Sequence, residues 1–172
     1  MGFFACGIAK AAPVDKAVAQ KYRKWLENGE EASMAYMTNY LEKRLDPRLL
    51  VPGVRSIVSL ALNYAPAQQL PKGEYQIAAY ALGLDYHDLM KQKMRELAIK
   101  ITEQWQLPKQ EEGEEPSVRC FCDTAPVLER YWAQKAGLGW VGRNHQLIIP
   151  HAGSMFFLGE IFLPFDVDVY DE

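Results

Sequence analysis

The stretch Ser56-Ile-Val-Ser-Leu-Ala-Leu62 decides the fold. It follows the turn signal Pro52-Gly53, is almost continuously apolar and is partly β-branched, a pattern that suits a strand covered on both faces. Such a strand needs a layer above and a layer below, so the chain reads as an α/β (α+β) domain with this run at its centre. Outward from it, Val118 to Cys122, Leu147-Ile-Ile149 and Met155 to Leu163 read as further strands. Tyr86 to Trp105 reads as the main helix: Leu89, Met90, Met94, Leu97, Ala98, Ile101 and Trp105 form one stripe, Asp85 is available as N-cap, and Leu107-Pro108 ends it. The spacing of Val14, Val18, Tyr22, Trp25 and Leu26 predicts a helix over Pro13 to Leu26, stopped by Asn28-Gly29. A second, short helix carries Met34, Met37, Tyr40 and Leu41, and Pro126 to Ala136 predicts another, closed by Gly137. The Glu-rich stretch Lys109 to Pro116 reads as an exposed loop. The expectation is a single domain over 1–172, with a mixed central sheet flanked by helices and a ligand cleft near Asp123 and Gly137 to Asn144.

With 172 residues, 49% of them hydrophobic, the chain can bury a core without disulfide or metal staples. Its net charge of -3 leaves no global basic footprint, so any RNA contact must come from a local patch. The three cysteines, Cys6, Cys120 and Cys122, form no Cys-x-x-Cys pair, which argues against a disulfide framework and against a self-contained zinc or iron–sulfur site. No basic leader and no bilayer-length apolar run is present, so a soluble, cytoplasmic protein is expected. The acidic tail Asp166 to Glu172 has no capping element and reads as a border where another domain begins.

Several residues carry two readings. Asp123 ends a strand ahead of Thr-Ala-Pro126, where it is either an N-cap or a positioned acid. Gly137, Gly139 and Gly142 follow a helix, so they are no nucleotide fingerprint; they form a Schellman-type stop and a turn, or let backbone approach a flat ligand. Arg130, Arg143 and Lys135 suit either phosphate contacts or a solvated face. Cys120 and Cys122 point to one face of their strand and read as packing.

Four segments stand together in order: Tyr80-Ala-Leu-Gly-Leu-Asp-Tyr-His87, Asp123-Thr-Ala-Pro-Val-Leu-Glu-Arg130, Ala136-Gly-Leu-Gly-Trp-Val-Gly-Arg-Asn144 and Gly153-Ser-Met-Phe-Phe-Leu-Gly-Glu160. With Ala5-Cys-Gly-Ile8, Arg44-Leu-Asp-Pro47 and Arg55-Ser56, they resemble the N-terminal part of the epoxyqueuosine reductase family over nearly the whole chain. The resemblance implies a cobalamin-binding domain of an oxidoreductase that removes the epoxide oxygen of epoxyqueuosine in tRNA as water. It implies two four-iron four-sulfur clusters in a ferredoxin-like domain expected after residue 172, an electron donor acting through them, and a helical-repeat domain that grips the anticodon arm. Asp123 is then the proton donor. Arg44, Asp123, Gly142, Asn144, Leu147 and Leu158 fall at expected cobalamin contacts, and His87, Arg130 and Arg143 at possible pocket or tRNA contacts. On residues alone, Arg44 is equally a salt-bridge partner, and Leu147 and Leu158 are strand core. Ala78 stands where some relatives carry a cysteine. Asp85-Tyr-His87 begins like the Asp-x-His-x-x-Gly signature of a cobalt-ligating histidine, but Met90 occupies the glycine position, so no protein ligand to cobalt is assigned. Alternatives are a flavin-binding reductase domain and a non-catalytic module that holds cofactor or RNA.

Overall fold

A computed structural model describes residues 1–68, 71, 73, 75–107 and 117–171. The expected loop from Lys109 to Pro116 lies outside the described residues. The run that opened the sequence reading is strand β2 (Ser56–Asn63), with its first six residues buried. It pairs on one side with β1 (Ala5–Lys10) and on the other with β6 (Phe156–Leu163), and β6 pairs in turn with β3 (Arg119–Phe121). The order is β1-β2-β6-β3, and each of these pairings is antiparallel. This corrects the expected mixed sheet. A continuous apolar run suggests parallel pairing because both faces are covered. Here both faces are covered by helices although the neighbours run antiparallel.

The helix α1 (Lys16–Glu27) ends at Asn28 and Gly29, the latter with φ 68°, as its stop signal predicts. The second helix is broken. It consists of a 3-10 turn at Ala35–Met37, then α2 (Leu41–Leu45) and α3 (Pro47–Leu50), the last capped by the Asp46 side chain. The main helix, α4 (Tyr86–Gln104), is capped by Asp85, whose carboxylate accepts the His87 N–H. Its inner stripe is Met90, Met94 and Ala98, while Leu89 and Trp105 lie outward, Trp105 stacking on Phe165.

α4 packs on one face of the sheet and α5 (Glu129–Lys135) on the other. Met90, Met94, Val58, Leu60 and Ile161 form one core cluster; Trp132, Ala133, Ile57, Ala61 and Phe162 belong to the second. Close approach sets two glycines. A Cβ at Gly7 would lie 1.9 Å from the Ala136 carbonyl oxygen, so glycine lets α5 rest directly on β1; at Gly159 it would meet Met94 and Met90. After α5 the chain turns by a Schellman motif: Leu138 N–H donates to Ala133 O at 3.0 Å, Gly137 N–H to Gln134 O at 3.1 Å, and Gly137 has φ 71°. A small separate hairpin follows, β4 (Trp140–Val141) with β5 (Leu147–Ile148). The expected strand over 147–149 thus belongs to this hairpin and not to the main sheet. The predicted helix over Pro126 to Ala136 begins only at Glu129, because Ala125 to Leu128 form an irregular approach.

Candidate functional site

Asp123 follows Phe121 and the buried Cys122 at the end of β3, in the left-handed region with φ 55°. Non-glycine residues avoid that region, so its occupation here is held by surrounding contacts. Three are visible. The Tyr86 hydroxyl donates a hydrogen bond to the Asp123 carboxylate from the first turn of α4. The Asp123 N–H donates to Glu129 Oε1 at 2.5 Å, from the first turn of α5. The Thr124 N–H turns back to Cys122 O at 2.7 Å. Asp123 does not cap α5, whose N-cap position is Leu128 with no side-chain cap bond. The cap reading is thereby overturned, and the exposed carboxyl stands between the N-terminal ends of two helices on opposite faces of the sheet.

Beside it runs an aromatic row. Tyr86 stacks on Phe157 with ring centroids 4.1 Å apart and planes 2° from parallel, His87 stacks on Tyr86 at 4.0 Å, and Tyr64 leans on Phe157 at 4.6 Å. The His87 Nδ1 is tied to Asp85 at 2.8 Å, which fixes the ring in the first turn of α4. Burial, then the bond to Asp123, pushes the Tyr86 phenol well above its ordinary range, so it stays a donor.

Behind Asp123 lie two further acids. Burial first and the Asp123 charge second push the Glu129 carboxyl up to about 8. Glu160, on β6, is completely buried and is raised well above the carboxylate range by burial, then by Glu129 and Asp123. Cys122 is raised by burial and then by the same acids, so it is an inert packing thiol, as its strand position predicts; Cys120 is pushed up to about 11 by burial.

Arg130 joins this centre to the β4–β5 hairpin by donating to the His145 carbonyl. Asn144 lies in that loop and accepts the Gln146 N–H at 3.1 Å, while Arg143 is exposed. A Cβ at Gly139 would fall 2.0 Å from the Ile148 carbonyl oxygen, so the hairpin requires glycine there, whereas at Gly142 it would meet the movable end of the Ile148 side chain at 2.5 Å. Leu147 is 4% exposed and sits in the core, with Leu158 packed beside the same cluster. Arg44 makes no ion pair among the described residues; it is 9% exposed and its Nε has no hydrogen-bond partner there. Lys135 instead approaches Asp15 at 3.7 Å. The fold therefore links Asp123, Arg130 and the 142–146 loop in one chain of contacts, to which Arg44 is joined by no hydrogen bond.

A family model described as "Epoxyqueuosine reductase QueG, DUF1730" matches residues 44–124. An epoxyqueuosine reductase of Cellulophaga algicola is 42% identical over 171 residues, covering 99% of this chain and 53% of its own length. One from Leadbetterella byssophila is 44% identical over 163 residues, covering 95% of this chain and 51% of its own. This chain belongs to the epoxyqueuosine reductase family. It spans about half the length of these curated relatives.

Solved structures agree on the fold of this epoxyqueuosine reductase family member. The epoxyqueuosine reductase of Streptococcus thermophilus superposes with a TM-score of 0.81 at 26% identity, over 99% of this chain and 44% of that one. An epoxyqueuosine reductase solved with an epoxyqueuosine-modified tRNA stem loop gives 0.73 at 24% identity, over 99% and 44%. Sequence reasoning missed Tyr86, Glu129 and Glu160 as parts of the site. One signal was present: Glu160 is a lone acid inside the apolar run Phe156 to Leu163.

Proposed function

We propose that this chain supplies the cofactor and substrate pocket of an epoxyqueuosine reductase, with Asp123 as the acid that lets the epoxide oxygen of a tRNA nucleoside leave as water. The observation that carries the reading is the capture of Asp123 in a left-handed turn by Tyr86 and Glu129, which aims one carboxyl outward from between two helix ends. Aspartate tolerates that conformation better than most residues, and here it turns the carboxyl away from the strand and into the reach of Tyr86. When the acid gives up its proton, the Tyr86 hydroxyl steadies the resulting carboxylate.

Cobalamin fits the residues on one specific count. The Arg44 guanidinium is buried with an unpartnered Nε, and an amide or phosphate oxygen of the cofactor would satisfy it. When bound, a reduced corrin cobalt supplies the electrons for C–O cleavage. Leu158 and the rim of the 142–146 loop would line the apolar and polar sides of the pocket, and Arg130 and Arg143 would meet the RNA backbone. Iron–sulfur clusters would supply the electrons for that chemistry. No helix among the described residues is long and apolar enough to cross a membrane.

The test is a visible-absorption titration of the chain with cob(II)alamin, paired with turnover of epoxyqueuosine tRNA by the protein supplied with its electron-delivering partner. Asp123→Asn is expected to keep the saturable spectral shift and to lose turnover by at least about 100-fold. Unchanged turnover refutes the role of Asp123. Absence of any cobalamin shift beside binding of a flavin refutes the cofactor.

A further inference from the structure

The roles assigned above leave the two acids behind Asp123 unused. Glu160 on β6 stands in register with Ser59 on β2 and with Phe121 on β3. Residues paired across strands point to the same face, and alternation along β6 puts Glu160 on the side of Phe162, the side covered by α5. Both side chains are 0% exposed there, and neither Glu160 oxygen nor the Ser59 hydroxyl has a hydrogen-bond partner among the described residues. Nothing in the fold calls for an acid at this position. A buried carboxyl without a counter-ion gives up its charge and remains a cost that glutamine or leucine would not impose.

Glu129 connects this acid to the surface. It begins α5 on the same face and its Oε1 accepts the Asp123 N–H at 2.5 Å, which sets its carboxyl beside Asp123. The charges of Glu129 and Asp123 raise Glu160, and the charge of Asp123 raises the half-buried Glu129. The remaining titratable or charged groups around the row are Arg130 on α5, Tyr86 and Lys91 on α4 and the Cys122 thiol. Arg130 favours the ionised form of Glu129, against the larger effect of burial.

We propose that Glu129 and Glu160 are a proton store for Asp123, returning a proton to it after it has protonated the leaving oxygen. The proposal rests on the reading of Asp123 as the acid of epoxide reduction. Converting an epoxide to an alkene and water breaks two C–O bonds, forms a C=C bond, and consumes two electrons and two protons. The electrons come from the reduced cofactor, and the first proton comes from the Asp123 carboxyl. The second must reach the same oxygen while cofactor and RNA cover the pocket. It passes from the Glu129 carboxyl to the Asp123 carboxylate, and Glu160, whose carboxyl has no partner of its own in the resting fold, turns to Glu129 and refills it. Only O–H bonds form and break in this relay, and the acids regain their protons from water after product leaves.

Infrared spectroscopy of this chain near neutral pH tests the store without reference to activity. Protonated-carboxyl bands are expected in the native protein, one lost in Glu160→Gln and another in Glu129→Gln; absence of any such band overturns the proposal. Kinetics of the protein supplied with its electron donor test the relay. Glu129→Gln is expected to lower kcat about 10- to 100-fold with KM for the tRNA unchanged, and to abolish a decline in kcat above about pH 8. Glu160→Gln should lower kcat in the same direction, and Glu129→Gln alone decides the matter should the buried substitution prevent folding. Wild-type turnover with kcat and pH profile unchanged in both variants overturns the relay and leaves the role of Asp123 standing. No wild-type turnover at all overturns both.

Discussion

At the scale of single residues, the site depends on how few groups satisfy one carboxyl. Tyr86 serves Asp123 through its hydroxyl and the aromatic row through its ring, and Tyr86→Phe separates the two tasks. The ring still stacks on Phe157, while a charge-assisted hydrogen bond worth about 1.5–3 kcal/mol is lost. The expected result is a fall in kcat of roughly 10-fold or more, with cobalamin affinity unchanged in the same titration. The buried acids make a separate prediction about stability. Above an ordinary carboxyl value of about 4.3 the unfolded chain has released protons that native Glu129 and Glu160 still hold. Stability contributed by these groups is therefore lost as pH rises from there through their raised native values, about 8 for Glu129. Glu160→Gln removes its share of that loss, so its gain in Tm over wild type should grow as pH rises above about 4.3 in thermal melts. A gain of the same size at every pH would mean that Glu160 is not held protonated in the native protein.

At the scale of elements, two helices on opposite faces of one sheet bring their N-terminal ends to the end of β3, and glycine sets how closely they approach. Gly7→Ala places a methyl group 1.9 Å from the Ala136 carbonyl, which backbone must yield to accommodate, whereas Gly159→Ala meets the flexible ends of Met94 and Met90 at 2.7 and 2.9 Å. The first should cost at least about 3 kcal/mol and the second about 1–3, read from denaturant midpoints. The elements differ in how plainly the sequence announces them. β2 and β6 are legible because strands buried on both faces carry little else than apolar residues. β1 is not, because Ala-Cys-Gly-Ile-Ala-Lys has small residues where a strand signal needs β-branched ones; it is a strand through its partner β2, and its smallness serves α5. Asp123 was legible as a residue of interest, but its partners were not. Tyr86 and Glu129 reach it from opposite sides of the sheet, and no pattern within either helix reports a meeting across layers. A first-turn glutamate such as Glu129 ordinarily reads as a helix-dipole partner, which hides its contact with the Asp123 backbone.

At the scale of the whole molecule, the sheet is closed by its last strand. β6 lies between β2 and β3, so Ser59 and Phe121 gain their common neighbour only when Glu160 arrives. The ends are also tied: Ile8 N–H donates to the Asp171 carboxylate at 2.8 Å and Asp171 N–H returns to Ile8 O at 2.9 Å, so the acidic tail meets the outer edge of β1. A chain shortened to end before Phe156 should lack native sheet and both cores, and circular dichroism with urea titration would show no cooperative transition. A cooperative transition in that fragment would place the folding unit elsewhere. The central position of β6 also sets a clock for synthesis. At roughly 5–20 residues per second, the ~100 residues between the two middle strands keep β2 waiting for about 5–20 s, with its apolar faces uncovered and the edge that β6 will occupy unpaired. During that interval the nascent chain is a client for chaperones, and the same strand that later brings in the buried acid is the one that ends its vulnerability to aggregation.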